Sequence, residues 1–151
     1  MFDPGKIIEA LNRHQVEYIV IGGFAATLYG CPELTFDLAI MYRDTSDNRT
    51  HLLTALREIE AQWDEPLTDT ILQRQPVFAL NTKWGDLDIL SEVSGLNGFE
   101  EARAQAQTMN LGGQALLLLS LPALIKTKEA AADPNPRKQS ALEYLRALVR
   151  R

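Results

Sequence analysis

Five residues carry the chemistry this sequence suggests: Gly22, Gly23, Asp37, Asp86 and Asp88. The two glycines close the run Glu17-Tyr18-Ile19-Val20-Ile21 and open a helical stretch. In that setting the backbone can approach a phosphate closely, and a helix N-terminus offers unpaired amides and a favourable dipole. Taken alone, a Gly-Gly pair after a strand is a tight turn. Asp37 follows one short helix and a loop later, where its carboxylate would lie near a phosphate held by the glycines. Asp86 and Asp88 have period-two spacing, which sets both on one face of a strand. Hard oxygen donors beside a phosphate suit Mg²⁺, which usually takes one or two protein carboxylates plus substrate phosphates. Without further information, the three acids read as strand-end carboxylates facing water.

The elements that must position these residues are legible in the apolar pattern. Asp3-Pro4 reads as an N-cap with proline at the first helical position, and Ile7, Ile8 and Leu11 recur on one face as far as His14. Glu17 to Ile21 reads as a buried strand and Phe24 to Tyr29 as a short helix ended by Gly30-Cys31-Pro32. From Thr35 to Met41 the residues alternate, with Phe36, Leu38 and Ile40 expected on a core face and Asp37 and Ala39 on the other. Asp47 or Asn48 is expected to cap a helix carrying Leu52, Leu53, Leu56 and Ile59. Strands are expected at 77–80 and 86–90, the second with Leu87 and Ile89 opposed to Asp86 and Asp88. A helix over 98–106 and a short strand over 113–119 follow. Helices over 121–132 and 138–149, separated by Asp133-Pro134-Asn135-Pro136, close the chain.

The 151 residues suit one α/β domain spanning 1–151, with 46% hydrophobic and 23% charged residues and no low-complexity tract. A net charge of −5 disfavours bulk DNA or RNA binding, which rests on clustered Lys and Arg. Arg137, Lys138, Arg146, Arg150 and Arg151 form a basic end that reads as a solvated helix face. The single Cys31 excludes an intrachain disulfide and a cysteine zinc cage, and the expected location is a reducing cytoplasm. The longest apolar run, 115–119, is far too short to span a bilayer. His14 and His51 have no metal-ligand spacing. Trp63 and Trp84 read as core aromatics, with Trp84, beside the acidic strand, the one placed to stack on a base.

The segments Ile21-Gly22-Gly23-Phe24-Ala25, Thr35-Phe36-Asp37-Leu38 and Gly85-Asp86-Leu87-Asp88-Ile89-Leu90, with Gly30 between the first two, resemble the minimal nucleotidyltransferase group of the polymerase-β superfamily, including its antitoxin-type and AbiEii-like members. The similarity runs roughly from Val16 to Leu90, and a helix with Lys126 and Lys128 followed by Arg137-Lys138 echoes the tail of that group. The resemblance implies a nucleotidyltransferase-like mixed sheet flanked by helices. It also implies transfer of a nucleoside monophosphate from a nucleoside triphosphate, with Mg²⁺ or Mn²⁺, to a protein or small-molecule acceptor. In that mapping Gly22, Gly23 and Lys126 hold the triphosphate, and Lys126 and Lys128, two apart on a helix, cannot both face it. Asp37 is the first metal ligand, and Asp88 is the third carboxylate, orienting or deprotonating the acceptor. The second carboxylate should stand at position 39, where the chain has Ala39, so a metal pair would have to recruit Asp86. Glu33 stands where the group often has arginine, and Gln139 where it often has an acid. These departures imply a degenerate site, and the alternative is a non-catalytic antitoxin-like or regulatory module with a protein partner such as a toxin.

Overall fold

The first helix forms as its sequence dictates. Asp3 accepts a hydrogen bond from the Lys6 amide at 3.2 Å, Pro4 takes the first helical position, and Ile7, Ile8, Ala10 and Leu11 of α1 (Pro4–Arg13) are buried. The computed structural model describes residues 1–32, 35–131 and 135–150. Glu33, Asp133, Pro134 and Arg151 lie outside the described residues.

From α1 the chain runs through β1 (Tyr18–Ile21), α2 (Gly22–Leu28), β2 (Asp37–Tyr42), α3 (Ser46–Glu58), α4 (Asp69–Leu72), β3 (Val77–Thr82), β4 (Gly85–Leu90), α5 (Phe99–Ala104), β5 (Ala106–Leu111), β6 (Gln114–Leu119), α6 (Leu121–Ala131) and α7 (Pro136–Val149). The six strands form one mixed sheet in the order β3-β4-β2-β1-β6-β5. β1 is antiparallel to β2 and parallel to β6, while β2 is parallel to β4. The outer pairs β3-β4 and β5-β6 are antiparallel hairpins.

Strand alternation assigns the two faces. Leu38 and Ile40 are fully buried on one of them, and the Tyr18 hydroxyl donates to Asn12 Oδ1 at 2.9 Å, which puts α1 over that face with α3 packed beside it. Asp37 and Ala39 point to the other face, where α2 packs on β1 and β2 and touches both α6 and α7. Asn48 ties α3 to the sheet: its amide donates to the carbonyls of Glu17 and Arg43 at 3.0 and 2.8 Å, and its oxygen accepts from the Glu17 amide at 2.7 Å.

Several expectations need correction. Thr45, not Asp47 or Asn48, caps α3, because Asn48 is buried and occupied with the backbone of Glu17 and Arg43. Phe36 is not on the core face; β2 begins one residue later, and Phe36 is 66% exposed. The helix expected to reach residue 106 stops at Ala104, and 106–111 is the edge strand β5, joined to β6 through Gly112-Gly113. The short α4 had no counterpart in the apolar pattern. Trp63 is a core aromatic, its ring edge-on to Phe78 at 4.9 Å.

Candidate active site

The sheet face bearing Asp37 and Ala39 forms the floor of a cleft of about 930 Å³. Strand register sets the floor. Asp37 lies opposite Asp86, Ala39 opposite Asp88 on one side, and Ala39 opposite Ile21 on the other. Position 39 is therefore central, and the acids surround a methyl group. Asp37 is exposed and accepts a hydrogen bond from Thr35 Oγ1 at 3.0 Å. Asp88 is half-buried; burial, reinforced by the charges of Asp37 and Asp86, raises its pKa above the ordinary carboxylate range, with Lys138 acting in the opposite direction.

Gly22 and Gly23 open α2 at the edge of this floor. Gly22 has φ +74°, a conformation that side chains rarely adopt, and a Cβ there would stand 3.1 Å from that of Ala39. The glycine turn and Ala39 are thus in direct contact. A Cβ on Gly23 would stand 3.3 Å from Thr35 Oγ1, so the glycine turn also borders the hydroxyl that orients Asp37.

The opposite wall comes from α6 and α7. Lys128, Arg137, Lys138 and Arg146 line it. Burial and the nearby Lys138 lower the pKa of Lys128, and Cys31 acts the other way. Arg146 is held by Glu129 at 3.3 Å and by Glu143 at 2.6 Å. A third, apolar part of the lining consists of Phe36, Val77, Leu90 and Val93, and both Phe36 and Val77 are exposed.

The structure therefore brings together Gly22, Gly23, Asp37 and Asp88 but not all the residues expected with them. Lys126 lies off the cleft, exposed, with its ammonium 3.9 Å from Glu101. Lys128 occupies the place expected of it, and the signal was available: Lys128 follows the buried Leu124 by four residues, on the packed side of α6. Asp86 shares the sheet face but is exposed and does not line the cleft. Trp84 also lies elsewhere, at the β3-β4 turn near Lys6 and Lys83. Arg137, Lys138 and Arg146, expected on a plain solvated helix face, border the cleft instead. Cys31 is buried in its lining.

A two-ion site does not fit these residues. It needs a carboxylate that bridges both ions, position 39 supplies a methyl, and Asp86 does not reach in. Among the described residues, no three His, Cys, Asp or Glu side chains are grouped so as to hold a metal ion.

The strand order, the glycine turn into α2 and the acids on neighbouring parallel strands define the nucleotidyltransferase fold. Solved structures share it across nearly the whole chain. The lincomycin-bound lincosamide antibiotic adenylyltransferase LnuA is 13% identical, with a TM-score of 0.69 over 97% of this chain and 98% of that one. The antibiotic-resistance factor ANT(2'')-Ia is 17% identical, with a TM-score of 0.62 over 97% and 89%. A candidate nucleotidyltransferase of Thermotoga maritima is 15% identical, with a TM-score of 0.61 over 100% and 97%. No protein-family profile and no curated protein sequence matches this chain.

Proposed function

We propose that this protein binds a nucleoside triphosphate in the cleft and transfers its nucleoside monophosphate to a hydroxylated acceptor, slowly because the site is degenerate. One observation carries the reading: the glycine turn, two of the acids and the tail-helix cations, widely separated in sequence, converge on a single cleft of about 930 Å³, ample for a nucleotide and an acceptor. In this reading Gly22 and Gly23 face the phosphates, and Lys128, Arg137 and Lys138 take up their charge. The acceptor hydroxyl attacks the α-phosphorus, the bond to the β-phosphate oxygen breaks, and pyrophosphate leaves against the cations. Asp88 accepts the hydroxyl proton, a role suited to a carboxylate whose proton affinity is raised by burial. The apolar strip of Phe36, Val77, Leu90 and Val93 beside Asp88 suits an acceptor with an apolar portion, either a small molecule, as lincomycin is for one structural neighbour, or a protein side chain.

Ala39 favours a second reading, in which the fold is kept as a nucleotide-independent interaction module with a protein partner, as in an antitoxin. Titration calorimetry with ATP, GTP, CTP and UTP, with and without Mg²⁺ or Mn²⁺, separates the two. Binding of a nucleotide, followed by pyrophosphate release when an acceptor is supplied, supports the first reading. No binding to any of the four under either condition sinks it and leaves the interaction module.

A further inference from the structure

The sheet ends in β3 on one side and β5 on the other, and the two edges differ. At β3 the backbone of Gln62 bridges Asn81, donating to its carbonyl at 2.7 Å and accepting from its amide at 3.1 Å. The Gln75 side-chain amide donates to the Val77 carbonyl of the same edge at 2.6 Å. β5 has no such cover among the described residues, its backbone pairing only with β6. We propose, independently of the nucleotide reading, that β5 pairs antiparallel with β5 of a second copy of this chain, joining the two sheets into one.

The hairpin fixes which backbone groups are free. Leu111 and Gln114 flank the two-residue Gly112-Gly113 turn and lie opposite each other. Residues beside such a turn exchange hydrogen bonds, so Leu111, Met109 and Gln107 bond inward to β6. The Ser120 amide continues that series by donating to the Gln105 carbonyl at 2.7 Å. Ala106, Thr108 and Asn110 therefore direct their N–H and C=O groups outward. Antiparallel pairing centred on Thr108 sets Thr108 against Thr108 and Ala106 against Asn110, and every outward group of the strand then finds a partner. The contact is isologous, the closed form that homodimers take.

Charge singles out a second copy as the partner. An isologous contact opposes each residue to itself or to a near neighbour, so a charge on the edge would repel its own image. No charged residue stands between Arg103 and Lys126, although Asp, Glu, Lys and Arg make up 23% of the chain. β5 also lacks the proline and the bulge that commonly blunt an edge, its register with β6 running unbroken from Ala106 to Leu111. In a chain of net charge −5, this neutral strand lets two copies meet without like charges at the seam. Directly opposed residues of antiparallel strands share a sheet face, so both clefts open on the same side, each separated from the seam by β6.

Sedimentation velocity of the whole chain, over a series from about 1 μM to about 1 mM, reads the association. The expected result is a concentration-dependent equilibrium between monomer and dimer. Thr108→Lys and Thr108→Glu each set like charges opposite one another at the seam, and each should raise the dimer dissociation constant several-fold. Thr108 is exposed, so circular dichroism and melting temperature of the monomer should stay as in the parent. An equimolar mixture of the two variants should dimerise at least as tightly as the parent, because the charges facing each other are then of opposite sign. A parent that stays monomeric throughout, a dimer that persists unchanged in both variants, or a mixture as dissociated as its components overturns the proposal.

Discussion

Asp88 and Gly22 show how much of the site depends on single residues. Burial and two neighbouring carboxylates make Asp88 hold its proton more tightly in the folded chain than in the unfolded one. The folded state then binds more protons between the ordinary carboxylate pKa and the raised one, so stability falls as pH rises through that window and stays lower above it. Asp88→Asn is accordingly expected to be more stable than the parent at neutral pH without nucleotide, with the gap closing below about pH 3, where both states of the parent are protonated. Urea denaturation at pH 7 and at the acid end tests this, and an unchanged gap would refute it. Gly22→Ala should cost about 1–3 kcal/mol, because it places a side chain in a left-handed conformation against the Ala39 methyl. Asp37, Asp88 and the glycines were legible in the sequence because motif spacing and strand alternation act locally. The outward position of Asp86 was not, since it depends on which side of the strand its neighbours cover, whereas the spacing of Lys128 from Leu124 favours it over Lys126.

Among the elements, α3 is attached to the sheet by one polar residue as well as by its buried Leu52, Ala55 and Leu56. Asn48 serves three backbone groups of Glu17 and Arg43 at the ends of β1 and β2. Asn48→Ala should leave those groups unpaired in a buried setting and cost about 2–3 kcal/mol, read as a lower midpoint in a denaturant titration. A loss below about 0.5 kcal/mol would mean that water replaces the side chain. The sequence pattern suggested Asn48 as a cap because asparagine favours that position and nothing local reveals its long-range partners. β5 is not legible in the sequence for a related reason: Gln107, Thr108 and Asn110 lie on an exposed edge strand, so apolar alternation, the usual signal, is weak there. Phe36 showed the reverse error, apolar by type and in phase with Leu38, yet placed by the start of β2 at the cleft mouth.

At the scale of the whole molecule, one core runs from α1 and α3 through the sheet to α6 and α7, with Phe78, Tyr42 and Leu145 fully buried. Phe78→Ala should cost about 3–5 kcal/mol, since it empties the space beneath Trp63 as well as removing its own contacts; a calorimetric melting curve would show it as a single, lowered transition. Among the described residues, no helix is long and apolar enough to cross a membrane. The class of fold was legible because every inner strand carries a strong apolar signal, whereas the strand order was not, because it depends on β1 joining two strands from distant parts of the chain. That position of β1 has a consequence for the order in which the protein is built on the ribosome. Its partner β2 emerges within about twenty residues, but β6 and the cationic helices α6 and α7 emerge more than about ninety residues after it. The acidic floor can therefore form well before the lysines and arginines that line the cleft opposite it, and the cleft is complete only once α7 has docked.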